Sequence, residues 1–488
     1  MSLQRIGVMT ATRPNLPRGA HDWLLRAGSL LDDGCLEPAR LALRQADAMA
    51  PDEAAIYRGL AMAYRAADLE GEAVVAEMAA IAYEQDSALM LYNLATSFLM
   101  TQRTAAAERW YRACLRLDPQ LIGAHQNLAS IMELDGRRDH ARYHRQQAYG
   151  RQSMFFDTAD GADLTVLILC TEATGNVPFE WLLPQNRFNR IRWIMEYARD
   201  EQFDALPHFD LVFNAIGDQD VAQAAQASVR RLLQRCDKPL LNYPYSVART
   251  ARQSMPTLLG DIKHTLVPQA SRVTGADRAS LADSLRDGGM SFPLLLRPAG
   301  AHGGKGLTLC RTFDEVSAYQ APAGDVHACA FHDFRSADGY YRKYRVIFID
   351  GKPYPYHLAI SRNWLVHYAS ADMLAYPWKL DEERRFLQHP AAVLGWSAMQ
   401  ALRQIGKRLD LDFCGIDFSL LPDGRLLVFE ANATMLVHAE EFHAELKFKN
   451  HFVQRIFDAF DARVREMLAH SPCQQSQAGE IQEPELVC

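Results

Sequence analysis

A repeat of 34 residues, between about residues 20 and 152, constrains the fold of this 488-residue chain more than any other feature. Three columns of small residues and one column of large residues recur at this spacing. The small residues are Ala27, Ala61, Ala95 and Ala129, then Ala39, Ala73, Ala107 and Ala141, and then Ala46, Ala80, Cys114 and Ala148. The large residues are Leu30, Tyr64, Phe98 and Met132. Because apolar residues within each unit follow helical spacing, the pattern predicts four units of paired helices, with the small residues at close helix crossings.

This pattern resembles the tetratricopeptide repeat, a helix–turn–helix unit that stacks into a curved solenoid. The resemblance implies an all-α solenoid of four units over residues 20–152, preceded by an N-terminal extension of residues 1–19. The concave face of such a solenoid commonly holds a segment of a peptide or protein. The alternative is an array that only dimerises the protein or packs on its own C-terminal domains.

Strands alternate with helices between residues 162 and 260. The apolar runs 164–170, 210–216 and 238–242 are typical of strands buried on both faces, and helices are predicted over 188–200 and 221–236. This alternation predicts a parallel sheet covered by helices on both sides. No G-x-G-x-x-G motif follows the first strand, which argues against a nicotinamide-type dinucleotide fold.

A glycine-rich loop, PAGAHGGKG, occupies residues 298–306 between two predicted strands. Glycines expose backbone N–H groups and allow phosphate oxygens to approach closely. The spacing differs from a P-loop, since Ala299 stands in place of the first glycine and Gly306 follows Lys305 in place of Ser or Thr. The loop predicts a flap that covers phosphates, and a plain mobile turn is the alternative.

A basic cluster, Arg342, Lys343 and Arg345, opens an apolar strand that turns at Asp350-Gly351. The strand period places Arg342 on one face and Lys343 and Arg345 on the other. The cluster lies between the glycine-rich loop and an acidic hairpin, where the charge of a triphosphate would need neutralising. A solvated edge is the alternative for any one of these residues.

The acidic hairpin spans residues 413–435, where two β-type runs flank a Pro-Asp-Gly sequence. Asp-Gly between alternating strands is a strong hairpin signal. A two-residue turn at Asp-Gly would pair Leu420 with Leu427 and would place Asp417 opposite Glu430.

This register predicts a metal site, because Asp417, Glu430 and Asn432 would share one face of the hairpin. Facing carboxylates repel one another unless a cation lies between them. Carboxylate and amide oxygens suit Mg²⁺. A surface hairpin with two solvated acids is the alternative.

The order of these parts resembles an ATP-grasp ligase over about residues 162–470. The sequences G-I-D-F, with Asp417, and F-E-A-N, with Glu430 and Asn432, carry the most specific part of the resemblance. The similarity is greatest to members such as glutathione synthetase and the ribosomal-protein glutamate ligase. It implies a multidomain chain in which an α/β domain over 162–260 precedes an α+β ATP-grasp domain over 261–470.

The resemblance also implies roles for individual residues. Asp417, Glu430 and Asn432 would hold Mg²⁺ or Mn²⁺. Arg345 would contact the γ-phosphate or an acyl phosphate, and Arg297 stands where the family usually has lysine. The residues that would contact ATP are Arg297, Gly300, Gly303, Gly304, Lys305, Gly306, Lys263 and, near the ribose, Asp333, with residues 331–334 as the adenine hinge.

The activity implied by this resemblance is an ATP- and Mg²⁺-dependent ligase that joins a carboxylate to an amine through an acyl phosphate and releases ADP. The repeats indicate that one substrate is a peptide or protein. Two alternatives stay open. One is a scaffold or regulatory protein whose ATP-grasp fold binds nucleotide without ligating anything. The other is a ligase of free small molecules whose repeats serve assembly, including a homo-oligomer.

Composition limits the binding partners and the cellular location that we expect for this protein. The formal net charge of −7 gives no support for general nucleic-acid binding. The nine cysteines include no C-x-x-C pair, as expected for reduced thiols rather than a disulfide framework or zinc site. No signal-peptide core and no apolar run of about 18 residues are present, so we expect no membrane association and a cytoplasmic location. The polar residues 471–488 are expected to form a mobile tail.

Overall fold

The computed structural model describes residues 18–470, apart from residues 51–52, 173, 275–277, 301–303, 305 and 321–323. Residues 1–17 of the expected extension and the expected tail of residues 471–488 lie outside this description. The chain divides into two compact units, Met1–Ser153 and Met154–Cys488. Among the described residues, no helix has the length and apolar character needed to cross a bilayer.

The described part of the N-terminal unit consists of helices, most of them joined by short turns. The helices in its described part are α1 Arg18–Asp32, α2 Leu36–Ala48, α3 Ala54–Ala66, α4 Glu70–Glu84, α5 Ala88–Met100, α6 Thr104–Leu117, α7 Ile122–Leu134 and α8 Arg138–Tyr149. The starts of α2, α4, α6 and α8 are 34 residues apart, and so are those of α3, α5 and α7. Each even-numbered helix packs on the helix before it, and α2, α4 and α6 also pack on the next one. The unit is therefore an array of helix pairs with the period of the sequence.

The small residues of the three sequence columns lie inside this array, where none is more than 3% exposed. Short side chains allow helices to approach one another closely at these positions. In the column of large residues, Tyr64, Phe98 and Met132 are buried and Leu30 is half-buried. The repeated residues are thus the residues that build the core of the unit.

The C-terminal unit begins with a five-stranded sheet in the order β1-β3-β2-β4-β5. The strands are β1 Met154–Asp157, β2 Leu164–Cys170, β3 Phe188–Ile194, β4 Leu211–Asn214 and β5 Leu240–Leu241. Strands β2 to β5 run parallel to their neighbours, which confirms the predicted parallel sheet, and β1 is antiparallel to β3. The accompanying helices are α9 Asp200–Asp204, α10 Gln219–Leu233, α11 Pro244–Ala248 and α12 Met255–Leu259.

The predicted helix over residues 188–200 was wrong, because most of this segment forms the interior strand β3. Phe188, Ile191 and Ile194 are three residues apart, a spacing that imitates a helix. In the structure β3 pairs with β1 on one side and β2 on the other, and Trp193 is fully buried. Pairing with strands on both sides therefore outweighs the local helical spacing.

Two further sheets follow, in the orders β7-β10-β8-β9 and β12-β11-β13-β14-β6. The strands are β6 Thr265–Leu266, β7 Ala270–Val273, β8 Leu294–Pro298, β9 Thr308–Cys310, β10 Val326–Ala330, β11 Tyr341–Ile349, β12 Lys352–Ser361, β13 Phe413–Leu420 and β14 Leu426–Asn432. Neighbouring strands are antiparallel except β14 and β6. The helices are α13 Arg278–Asp287, α14 Phe313–Ala318, α15 Pro377–Gln388, α16 Pro390–Leu394, α17 Trp396–Leu409 and α18 Asn450–Ala469.

The turn between β13 and β14 differs from the predicted two-residue turn. Its loop contains residues 422–424, because the closing backbone hydrogen bond of 2.9 Å joins the residues on either side of them. This longer loop shifts the register, so Leu420 pairs with Leu426, one residue earlier than predicted. A β-bulge next to Asp417 shifts the register back. Asp417 therefore lies opposite Glu430 as predicted, although the predicted turn was wrong.

Candidate functional site

Two cavities adjoin within the C-terminal unit. The first cavity, of about 250 Å³, is lined by residues of β8, β10, β11, β13 and β14. The second cavity, of about 660 Å³, is lined by residues of β11 and β12 and by segments that follow them. Lys343, Arg345 and His367 line both cavities and mark the boundary between them.

The basic cluster on β11 divides between two faces, as the strand period predicts. Arg342 lies on one face, where its guanidinium pairs with Asp338 and Glu382, and it lines neither cavity. Lys343 and Arg345 point to the other face and line both cavities. Only part of the sequence cluster therefore reaches the candidate site.

Asp417 is buried and is held by cations from the neighbouring strand. The Nε and Nη2 atoms of Arg345 donate to its two oxygens at 2.6 and 2.9 Å, and Lys343 Nζ lies 3.1 Å from the carboxylate. Burial opposes ionisation, but Arg345 and Lys343 outweigh it and hold the pKa of Asp417 well below its usual range. Asp417 therefore remains a carboxylate at neutral pH.

Glu430 faces Asp417 and is held by a cation from a distant part of the chain. Arg252 Nη2 donates to Glu430 Oε2 at 2.7 Å, across a sequence separation of 178 residues. Burial raises the pKa of Glu430, but the charges of Arg252 and Arg297 outweigh burial and the pKa is lowered. Side chains thus relieve the repulsion between the two acids. The two facing acids therefore do not by themselves indicate a bound metal, because cationic side chains already neutralise them.

Arg297, on β8, lines the first cavity, and the carboxylates of Glu430, Asp218 and Asp220 lie near it without forming an ion pair with it. Among the described residues it makes no ion pair, and its buried Nε has no hydrogen-bond partner. Burial, with the nearby charge of Arg252, lowers the pKa of Arg297 to about 10. The guanidinium is still charged at neutral pH, and an unpaired buried charge is costly. The first cavity therefore offers an unpaired cation to an anionic ligand.

The oxygen donors of the hairpin fit Mg²⁺ in type. No group of three or more His, Cys, Asp or Glu side chains that could hold a metal occurs in the described part of the chain. The donors are the carboxylates of Asp417 and Glu430 and the Asn432 amide oxygen, which accepts a hydrogen bond from Thr434 at 3.2 Å. Mg²⁺ commonly uses one or two carboxylates and completes its shell with waters and substrate phosphates. Asn432 borders a third cavity of about 40 Å³, which adjoins the first at Arg297.

The glycine-rich loop reaches the first cavity at Gly304. Gly300, Gly304 and Gly306 adopt positive φ angles of 70°, 78° and 69°, which favour glycine. Gly300 lines the small third cavity, and its N–H donates to Asp220 at 3.2 Å. Gly303 and Lys305, which the sequence predicts to contact phosphates, lie outside the described residues.

Two predicted ATP contacts do not reach the cavity. Lys263 is exposed in the turn that precedes β6. Asp333 is exposed and pairs with Arg335 at 3.2 Å, while its neighbours Phe331 and Phe334 line the cavity. The side chain of Asp333 is therefore exposed to solvent, although the segment that contains it lines the cavity.

Arg252 is a site residue that the sequence does not indicate. It lies in a one-turn 3-10 helix, Arg252–Ser254, in a segment without a glycine or strand signal. It lines both the first cavity and the small third cavity, and it pairs with Glu430. Only the folded chain brings it beside the hairpin.

No family model matches this chain, and no curated protein matches its sequence. Among solved structures, the VanG D-Ala:D-Ser ligase from Enterococcus faecalis is 14% identical with a TM-score of 0.37, and the match covers 61% of this chain and 98% of that chain. The ATP-grasp ligase PsnB, complexed with minimal precursor, Mg and ADP, is 13% identical with a TM-score of 0.34, covering 62% and 100%. A RimK domain ATP-grasp protein from Sphaerobacter thermophilus is 13% identical with a TM-score of 0.36, covering 61% and 98%. Because these TM-scores are below 0.5, the likenesses decide neither activity nor substrate.

Proposed function

We propose that this protein is an ATP- and Mg²⁺-dependent ligase that joins a carboxylate to an amine and releases ADP and phosphate. The observation that carries the proposal is Arg297, a charged group that lines the first cavity with no ion-pair partner among the described residues. Asp417 and Glu430 supply oxygen donors for a cation in the same cavity. A cation that attracts an anion, beside acids that attract a divalent cation, matches a nucleoside triphosphate bound with Mg²⁺.

The remaining walls of the first cavity suit a nucleoside base. Phe331 and Trp364 contact each other edge to face, with ring centroids 5.6 Å apart, and Leu295 and Val428 also line the cavity. Flat apolar walls favour the face of a purine ring. ATP would place its base against these residues and its phosphates near Arg297.

Asp417, Glu430 and Asn432 would hold Mg²⁺, which when bound neutralises phosphate charge during phosphoryl transfer. Arg345 and Lys343 keep Asp417 ionised and oriented. They also line both cavities, so they are placed to contact the phosphoryl group that passes between substrates.

In the proposed reaction, a carboxylate oxygen of one substrate attacks the γ-phosphorus of ATP, the bond to the bridging oxygen breaks, and ADP leaves. The amine, after losing the proton of its ammonium form, attacks the carbonyl carbon of the acyl phosphate. The C–N bond forms, the nitrogen loses a second proton, and phosphate departs with the electron pair of the broken C–O bond. Positioning and charge neutralisation supply the catalysis, so no nucleophilic side chain is needed.

We further infer that the N-terminal helix pairs form a tetratricopeptide solenoid that recruits a peptide or protein substrate. The support is the 34-residue period shared by the sequence columns and the helix starts. A higher kcat/KM for peptides than for free amino acids with the same reacting groups would support recruitment. Equal values would instead favour repeats that serve assembly.

A nucleotide-binding scaffold without ligase activity is the second candidate. The observation that favours it is the full engagement of Asp417, because Arg345 and Lys343 contact both of its carboxylate oxygens. A metal would have to share these oxygens with two cations or displace one of them.

The test is phosphate release from MgATP across a panel of amino acids and short peptides, with the nucleotide product identified. We expect ADP and phosphate only with a particular pair of carboxylate and amine. Glu430→Gln should reduce the rate by about 100-fold or more, because it removes a charged metal donor. Asp423→Asn, in the exposed turn of the same hairpin, is the matched control and should leave the rate unchanged. AMP and pyrophosphate would refute the acyl phosphate, and MgATP binding without turnover would favour the scaffold.

A further inference from the structure

The second cavity is large and partly apolar. Leu374 and Leu436 line it and are 43% and 46% exposed, so they form an open apolar rim. Met373 and Tyr356 line its buried part. A cavity of about 660 Å³ has the size of a typical small-molecule site. Its charged groups indicate which kind of molecule it would take.

The cations of the second cavity already have partners. Lys449 is buried, and its Nζ lies 3.1 Å from the carboxylate of Glu383, which is fully buried behind it. Lys343 and Arg345 both pair with Asp417. In the ligand-free protein each of these cations is therefore already neutralised by a carboxylate.

The histidine in the buried part of the wall adds no positive charge. His357 is 8% exposed and lines the cavity. Burial, followed by the charges of Arg345 and Lys449, lowers its pKa well below the usual range. His357 is therefore neutral at physiological pH.

Two acids line the second cavity: Asp372, which is exposed, and Glu440, which is half-buried. Glu440 is the acid that lies deeper in the wall. Its carboxylate has no ion pair or hydrogen bond among the residues that the structure describes, and Glu440 lines the cavity. Asn450, the first residue of α18, fixes its backbone from both sides. Asn450 Oδ1 accepts from the Glu440 N–H at 2.7 Å, and Asn450 Nδ2 donates to the Glu440 carbonyl at 3.0 Å. A long helix thus holds the residue in place beside the cavity.

We propose that the second cavity binds the amine substrate in its ammonium form, that Glu440 recognises the cation, and that the apolar rim holds the body of the molecule. The substrate class is a primary amine with an apolar body. The inference rests on the proposed ligase function, because Arg345 and His367 at the boundary would bring a bound amine beside an acyl phosphate formed in the first cavity.

The test uses two probes of equal chain length and opposite charge, hexylamine and hexanoate, titrated into the full-length protein and followed by ligand-detected NMR. We expect the wild-type protein to bind hexylamine and to reject hexanoate. Glu440→Gln should weaken hexylamine binding by about tenfold, which is the effect of losing one partly buried charge pair. Glu440→Lys should reverse the preference. Glu445→Gln, an exposed acid that does not line the cavity, is the matched control.

Hexylamine binding that is absent, or equal in wild type and Glu440→Gln, would overturn the proposal, as would a wild-type preference for hexanoate. These readouts do not depend on turnover. An amine site that needs Glu440 in a protein that never releases ADP would refute the ligase and keep the site. If the protein ligates an amine and the KM for that amine is equal in wild type and Glu440→Gln, the amine site is refuted and the ligase is kept.

Discussion

Replacing Arg297 with methionine should change stability and ligand binding in opposite directions. Methionine keeps an unbranched apolar stem and removes the charge. In the ligand-free protein that charge lines the first cavity without an ion-pair partner among the described residues. If the cavity is built for phosphates, the wild-type arginine destabilises the empty protein and stabilises the loaded one.

The magnitude follows from the pKa of Arg297. Burial and Arg252 lower this pKa to about 10, whereas an exposed arginine titrates above about 12. At pH 7 the group is charged in both the folded and unfolded states, so the whole difference appears as a cost of folding. More than two pKa units correspond to about 3 kcal/mol, which is an upper bound because the residue is partly exposed. We therefore expect Arg297→Met to raise the free energy of unfolding by about 1 to 2 kcal/mol.

The assay is differential scanning calorimetry of the full chain, with and without MgATP, in a buffer free of multivalent anions. The ligand-free Tm of Arg297→Met should rise by a few degrees. The upward shift of Tm caused by MgATP should shrink, because losing a charge-assisted contact weakens binding by about 10- to 100-fold. Arg297→Lys keeps the charge and should retain most of both wild-type values. A lower ligand-free Tm together with an unchanged MgATP shift would refute the phosphate role of Arg297.

Three further predictions concern stability. Burial, followed by His125, lowers the pKa of His144 to about 4, so the unfolded chain binds more protons at mildly acidic pH. The contribution of neutral His144 to the free energy of unfolding is fully present above about pH 6.5. It should fall by up to about 3 kcal/mol as the pH decreases through the pKa of His144 in the folded protein. His144→Leu should therefore flatten the dependence of Tm on pH. Gly406→Ala should lower the free energy of unfolding by about 2 kcal/mol in urea titrations, because its Cβ would collide with the carbonyl oxygen of Gly351. Asn242→Ala should cost about 3 kcal/mol in the same titration, since it removes side-chain hydrogen bonds of 2.9 and 3.0 Å to the backbone of β13.

Two control variants separate these effects from general damage. His208→Leu alters a histidine whose side chain is 77% exposed and which does not contribute to the lowered pKa of His144, so it should leave the pH dependence of Tm intact. Gly71→Ala introduces a Cβ that would meet nothing within 4 Å, so it should not destabilise the protein. A pH profile that His144→Leu leaves unchanged, or equal stabilities for the two glycine variants, would contradict the packing described for these residues.

The repeat and the hairpin show how much of the structure can be predicted from the sequence. The small-residue columns are set by contacts between helices that are close in sequence, so their period could be read directly and the helix starts follow it. The facing of Asp417 and Glu430 was also predicted, but two local features that the sequence does not reveal cancelled each other there. The longer loop moved the register by one residue, and the bulge restored it.

The sequence by itself determined the helical array and the strands β2, β4 and β5 of the parallel sheet, because each depends on periodicity along the chain. Only the tertiary structure decided which cations surround Asp417 and Glu430, since Arg252 meets Glu430 across 178 residues. It also decided that residues 188–194 form a strand, because β1 and β2 lie on both sides of them. The tertiary structure likewise decided the second cavity with Glu440, because the charged side chains that line this cavity come from separate segments of the chain.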